Sequence, residues 1–204
     1  GASVNIGTYY IPKLIREFQD RYLGINVQVK INTTAVVEKE LLDGRLDLAL
    51  VGGTIQSEHI VAEPLFYEKY TAICAPEHPM AGKTVPLEEF MKEPLLFREK
   101  SSGAYEVFQS AVNQTGLTVT PVWESTSQTT LMEAVHYGLG VTILPEQMIK
   151  REVREGRLSQ ITFSDFSFQN TIHIAYHHSK YLSPSIKKFI LLVKTLNPPK
   201  SVPE

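Results

Sequence analysis

Cysteine is almost absent. Cys74 is the one cysteine in 204 residues, so no intrachain disulfide can form and a disulfide-stapled scaffold is excluded. A reducing cytoplasm is compatible with that, as is export of a disulfide-free protein. Long apolar runs are missing too: none approaches the roughly 20 residues of a membrane helix, so no membrane partner is expected. Gly1-Ala2-Ser3 does not open a basic segment followed by an apolar stretch, so the sequence shows no signal peptide. Positive charge is not in excess, with 20 Lys and Arg against 22 Asp and Glu. Without a basic footprint the chain by itself is a poor binder of DNA or RNA.

Catalytic signatures are also lacking. There is no GxSxG, no P-loop and no HExxH, and Gly52-Gly53 is not a GxGxxG fingerprint. The six histidines fall into no ligand spacing, and His177-His178 point to opposite faces if a strand continues through them, which argues against a metal site. Cys74 reads as a small buried strand residue, and Glu88-Glu89 as a solvated first helical turn. No acid, base or nucleophile constellation emerges, so neither an enzyme nor a cofactor is expected.

What is present is globular composition, 43% apolar and 21% charged with 12 Gly and 12 Pro. That is enough for a core burying roughly 70% of the surface an unfolded chain exposes. Helical and strand periodicities alternate, the mark of βαβ units around a mainly parallel sheet, so the fold class is α/β. Tyr10, Ile11, Leu14, Ile15, Phe18 and Tyr22 predict a helix over 8–23, closed by Gly24. Ile25, Val27, Val29 and Ile31 alternate as a strand. Asn32-Thr33-Thr34 caps a helix that ends at Asp43-Gly44, and 46–51 reads as a buried strand. After an extended stretch over 60–75 the order recurs: strand 95–97, turn at Ser101-Ser102-Gly103, helix to Gly116, strand 119–124, cap at Ser125-Thr126-Ser127, helix to Gly138, strand 141–144. Pro145 opens another helix, 171–177 is a late strand, and Ser183-Pro184 starts a final amphipathic helix. Two similar Rossmann-like subdomains are the simplest account.

In open parallel sheets, ligands bind beyond the carboxyl ends of the strands, at helix N-termini. Those positions are rich here in hydroxyls and glycine: Ser3 and Asn5; Asn32, Thr33 and Thr34; Gly52-Gly53-Thr54; Ser101-Ser102-Gly103; Ser125-Thr126-Ser127. Capping and turning explain any one of these loops. Five of them predict a cleft between facing rims, lined with neutral donors and suited to a small anion.

The motifs then resemble one family, the effector-binding domains of LysR-type transcriptional regulators, over nearly the whole chain. Gly1-Ala2-Ser3 is similar to the end of that domain's first strand, and Ile6 through Phe18 to its first helix. Asp43-Gly44-Arg45-Leu46-Asp47-Leu48-Ala49-Leu50 resembles its Gly-x-Leu-Asp-Leu-Ala run, Pro76-Glu77-His78-Pro79-Met80-Ala81 its HPLA turn, and Ala134 through Pro145 its V-x-x-G-x-G segment. The strand expected before Gly1 is missing or nearly so. Where many relatives carry Thr-Arg after Ser102-Gly103, Ala104-Tyr105 stands, so Arg98 or Lys100 would have to serve an anionic ligand instead.

The resemblance implies a type 2 periplasmic-binding-protein-like fold of two subdomains joined by two crossover strands, 1–75 with 176–204 and 76–175, hinged near 74–76 and 175–177. It implies a cytoplasmic sensor of a small anionic metabolite, with effector contacts at Ser3, Thr33-Thr34, Gly52-Gly53, Ser101-Ser102 and Thr126, to which the loop argument adds Asn5. DNA would be reached only through an N-terminal winged helix-turn-helix that this chain lacks. The same fold would also serve an exported solute-binding protein of a transporter. The apolar 25–31 strand lies at a sheet edge, and family members pair such edges. An isologous homodimer is therefore expected, tetrameric at full length, with Arg16, Gln19, Val27 and Val29 facing Gln109, Asn113 and Val122.

Overall fold

Tyr10 divides what the sequence reads as one N-terminal helix. In the computed structural model, which describes residues 1–100 and 102–196, β1 (Ala2–Ser3) runs directly into α1 (Val4–Tyr9). Tyr10 closes α1 by donating its N–H to the Ile6 carbonyl and then opens α2 (Ile11–Arg21). Pro12 explains the break: it lacks an N–H and suits the first turn of a new helix, not the interior of a continuing one. α2 stops at Arg21, ahead of Gly24 at φ 84°.

The alternating stretch after Gly24 is a second correction. Only its end pairs, as β2 (Ile31–Asn32), while 25–30 belongs to no strand. Thr33 caps α3 (Thr34–Leu42), accepting the Val36 N–H, and β3 (Ala49–Gly52) is wholly buried. The long β4 (Ile60–Cys74) follows. Then come β5 (Thr84–Val85), α4 (Leu87–Phe90), β6 (Leu96–Arg98), α5 (Gly103–Asn113), β7 (Trp123–Ser125) and α6 (Gln128–His136). The chain ends with β8 (Thr142–Pro145), α7 (Glu146–Arg154), β9 (Ser159–Phe163), β10 (Gln169–His177) and α8 (Pro184–Leu196). The strand expected over 119–124 is thus confined to Trp123–Ser125, β5 and β9 are additions to the expected order, and α4 holds Glu88-Glu89 in its first turn, as expected.

The chain separates into two compact units, Gly1–Tyr67 with Thr171–Glu204, and Glu68–Asn170. β4 leads out of the first and β10 leads back. The segments expected to act as hinges lie at the end of β4 and in β10.

In the first unit, β1 lies between β2 and β3 in parallel, and β10 pairs antiparallel with β3, Ile172 opposite Gly52 and Ala175 opposite Ala49. One face of this sheet packs on α2 and α8 through Ile11, Leu14, Phe18, Phe189, Leu192 and Val193. The other packs on α3 through Val37 and Leu41. α1 approaches β2 so closely that a Cβ on Gly7 would lie 2.7 Å from Ile31 Cδ1. A carboxylate on β4 ties the last helix down: Glu63 accepts from Tyr176 of β10 at 2.7 Å and from Lys194 of α8 at 2.6 Å.

In the second unit β4 pairs antiparallel with β8 and β9, β9 pairs parallel with β5, and β6 pairs parallel with β7. Its core is aromatic, with Phe108 of α5 against Phe97, Phe166 and Phe168. Cys74 is fully buried in β4, as expected; burial pushes its thiol up to about 11, so it carries no thiolate at neutral pH.

Candidate functional site

The parallel strands of the first unit end where three of the expected ligand loops meet. Ser3, at the end of β1, caps no helix with its side chain; its Oγ accepts the Gly52 N–H at 3.3 Å. Thr34 is buried, and its hydroxyl donates to the Gly52 carbonyl at 2.9 Å. Gly52 is therefore held on both sides, and the loops after β1, β2 and β3 are fastened into one rim. Asn32 Oδ1 accepts the Thr33 N–H at 2.9 Å, which orients the Thr33 cap of α3. Gly53, at φ 91°, turns the chain away in a conformation that side chains disfavour. Asn5 sits in the first turn of α1.

Each hydroxyl has one proton and two lone pairs. Ser3 and Thr33 use acceptor capacity in these bonds, so these bonds leave their protons unspent. Thr34 has spent its proton and retains acceptors. The leading amides of α3 add a positive helix end.

The second unit's loops are organised differently. Ser102 heads α5, is buried, and makes no side-chain bond to the helix that it opens. Its N–H donates to the Glu99 carbonyl at 2.9 Å. By contrast Ser127, at the head of α6, accepts the Thr130 N–H at 3.2 Å in an ordinary cap. Ser125 folds back on Ser127, and Thr126 between them is exposed. Ser101 lies outside the described residues.

Arg98, at the end of β6, is buried and grips Glu99 through Nε at 2.8 Å and Nη2 at 2.9 Å. Its charge is thus balanced by the next residue. Beside it a cavity of about 10 Å³, lined by Tyr70, Tyr105, Gln128 and Phe168 among others, holds at most a single water.

Sequence reasoning missed three buried polar groups. Glu68 Oε1, Thr142 Oγ1 and His173 Nδ1 find no hydrogen-bond partner among the described residues. Burial pushes the Glu68 carboxyl up to about 7, against a hydrogen bond from Tyr70 that pulls the other way. Burial likewise lowers His173. The available signal at two of them was one polar residue inside an apolar run, Val141-Thr142-Ile143 and Ile172-His173-Ile174; Glu68, beside Lys69, gave none.

The histidine pair corrects an expectation. β10 ends at His177, so His178 is not forced to the opposite face; the two rings stack 4.7 Å apart, with His59 at 5.4 Å from His178. His177 Nδ1 accepts the Ser179 N–H and His178 Nδ1 engages the His59 carbonyl. Among the described residues no group of three His, Cys, Asp or Glu is arranged to hold a metal ion, and no helix is long and apolar enough to cross a membrane.

The chain matches a family model described as the LysR substrate binding domain over residues 1–197. It is 26% identical over 203 residues to the uncharacterized HTH-type transcriptional regulator YeiE of Escherichia coli K12, covering 98% of this chain and 68% of that protein. Among solved structures it resembles the regulatory domain of Synechocystis CcmR in complex with 2-PG, with TM-score 0.87 at 22% identity over 98% of this chain and 97% of that one. It also resembles the effector-binding domain of QuiR in complex with shikimate, with TM-score 0.85 at 18% identity over 97% and 94%.

Proposed function

Because the chain belongs to the family of LysR substrate binding domains, the effector-sensing parts of LysR-type transcriptional regulators, we propose that its strand-end loops bind a small anionic effector and that this binding controls DNA recognition by a region outside the chain. The fold is the mixed α/β, type 2 periplasmic-binding-like fold of such domains, and the curated relatives are transcriptional regulators, not enzymes. A transport role is not favoured by that kinship. The structural neighbours carry small ligands, 2-PG in CcmR and shikimate in QuiR.

One observation carries the site assignment. Ser102 is a buried residue at the head of α5 whose hydroxyl makes no cap bond to its own helix, whereas Thr33 and Ser127 cap theirs. A hydroxyl without a cap bond, beside helix-end amides, is placed to donate to an anion. Ser3, Asn5, Thr33, Thr34, Gly52, Gly53, Arg98, Ser101 and Thr126 complete the proposed set. Arg98, already balanced by Glu99, supplies geometry more than net charge, so recognition rests on hydroxyls and backbone amides.

A thermal-shift screen of central metabolites and inorganic oxyanions tests this reading: a ligand at 100 times its Kd adds roughly 2.7 kcal/mol of stability. Ser102→Ala, with its fold intact, should weaken that ligand by about ten- to a hundredfold, and unchanged affinity moves the site elsewhere.

A regulator of this class works where the DNA is, in the cytoplasm, and as a homodimer. Val29 and Ile31 at the β2 edge are 41% and 47% exposed, and Val122 and Trp123 at β7 are 69% and 38% exposed. Pairing the first edge with the second of another copy would cover all four. Sedimentation at tens of micromolar should give a dimer that Val29→Asp weakens; a monomer indifferent to that change rejects the pairing.

A further inference from the structure

Helix α3 buries a stripe of side chains, Thr34, Val37, Glu38 and Leu41, at the i, i+3, i+4, i+7 spacing of a core-facing helix. Val37 and Leu41 fill the stripe as apolar residues do, packing with Val51 and Ile60. Thr34 and Glu38 break it. Glu38 is only 8% exposed, and a carboxylate taken so far out of water needs donors on its oxygens.

Those donors belong to the loop that follows β3. Glu38 Oε1 accepts the Gln56 N–H at 3.0 Å and the Ser57 N–H at 2.7 Å. One turn earlier on the same face of α3, the Thr34 hydroxyl donates to the Gly52 carbonyl at 2.9 Å. α3 therefore holds this loop at both ends, at Gly52 with a donor and at Gln56-Ser57 with an acceptor. Gly53, Thr54 and Ile55 bridge the two anchors. Ile55 packs against the apolar cluster that contains Val37 and Leu41, and Thr54 is exposed.

The second anchor matters because of what lies between the two. Gly53 stands at φ 91°, and glycine enters positive φ about as readily as negative φ, so its own backbone does not select this turn. With Gly52 fixed on one side, the remaining freedom is removed from the other side by the two amides on Glu38. An apolar side chain at this position would fill the stripe and leave both loop amides without their acceptor.

We infer that Glu38 is a positioning residue for effector binding: by holding Gln56 and Ser57 it sets the Gly53 turn, and with it the peptide groups of Gly52-Gly53, in the conformation that meets an effector. The inference rests on the reading that this turn is an effector contact, and it adds to that reading a charged residue that acts through the turn. A turn released from Glu38 would have to be ordered by the incoming compound, which lowers affinity.

The test separates the hold from the charge. Glu38→Met keeps an apolar chain of similar length and offers the two amides no carboxylate, whereas Glu38→Gln removes the charge and keeps an oxygen acceptor. Backbone amide exchange reads the hold. Thermal-shift titration with phosphate, sulfate and a set of small mono- and dicarboxylates reads binding. Glu38→Met should speed exchange at Gln56 and Ser57 by about tenfold or more. It should also weaken, by about tenfold, whichever of these compounds stabilises the unaltered chain. Exchange in α5 and α6 should not change, and Glu38→Gln should restore most of both losses. If Glu38→Met does not fold, Glu38→Ala takes its place. A folded Glu38→Met chain that is less stable yet binds as the unaltered chain does reduces Glu38 to a structural role and overturns the inference. So does unchanged exchange at Gln56 and Ser57. Either result leaves the effector reading standing where Ser102→Ala still costs affinity. A panel in which no compound stabilises the unaltered chain rejects the effector reading and this inference together.

Discussion

The two units meet the same requirement, loops at strand ends that can hold a small ligand, with different internal economies. In the first, nearly every rim hydroxyl is tied into the fold: Ser3 and Thr34 both hold Gly52, and Thr33 holds α3. In the second, Ser102 is left without a cap bond while Arg98 is paired through two hydrogen bonds with Glu99. Their cores differ in the same sense. The first unit packs aliphatic residues around Phe18 and Phe189, and the second stacks rings around Phe108. A rim fastened by its own hydroxyls is organised before a ligand arrives, so mutations there should register first as lost stability. A rim with a spare hydroxyl should register them as lost affinity.

The largest effect expected lies in the second core. Phe108→Ala removes a fully buried ring contacted by Phe97, Phe166 and Phe168 and should cost about 3–5 kcal/mol in urea unfolding. Phe108→Leu, which keeps most of the volume, should cost clearly less. Equal costs would mean that the ring contacts, not the filled volume, set the stability there. Next come the two hydroxyls. Ser102→Ala should leave stability within about 0.5 kcal/mol while costing an effector the ten- to hundredfold given above. Thr34→Val leaves the buried Gly52 carbonyl without its donor and should destabilise by about 1–3 kcal/mol. If Ser102→Ala proves the more destabilising of the pair, the contrast between the rims is wrong.

Much of this contrast was legible in the sequence because caps are local. Thr33, Ser127 and Pro145 stand where a hydroxyl or a proline at a helix start should stand, and the alternation of strands and helices gave the α/β class. Features that depend on distant partners were not legible. Ile25, Val27, Val29 and Ile31 alternate as a strand does, yet a strand needs a neighbour, and beside them β1 has two residues. Conversely β9 was passed over because Ser159-Gln160-Ile161-Thr162-Phe163 is short and half polar; it becomes a strand by pairing with β4 and β5. Pro12 did announce the break at Tyr10, but the apolar spacing on either side is continuous and masks it. For the site, the loops could be named from residue types. Which hydroxyl is spent and which is spare is set by contacts such as Thr34 to Gly52, 18 residues away, and Arg98's engagement by its own neighbour required side-chain geometry.

The smallest expected effect sharpens the comparison from the first unit's side alone. The Gly1 ammonium donates to the Leu48 carbonyl, and burial lowers its pKa to about 6 from an ordinary 8.0, against the raising influence of Glu40 and Asp47. A base whose pKa is lower folded than unfolded binds fewer protons in the native state, so stability must rise with pH between the two values and fall as pH drops from 8 toward 6. For this shift the change between pH 7 and pH 8 is about 1 kcal/mol. No counterpart is expected in the second unit, which contains no chain terminus. Measured by urea unfolding, the Gly1-initiated chain should gain that stability between pH 7 and pH 8, and acetylating its amino group should abolish the gain by removing the titrating charge. Amide exchange should locate the change at Leu48 and Leu50 and leave α5 and α6 untouched. An acetylated chain with the same pH slope would assign the titration to another group.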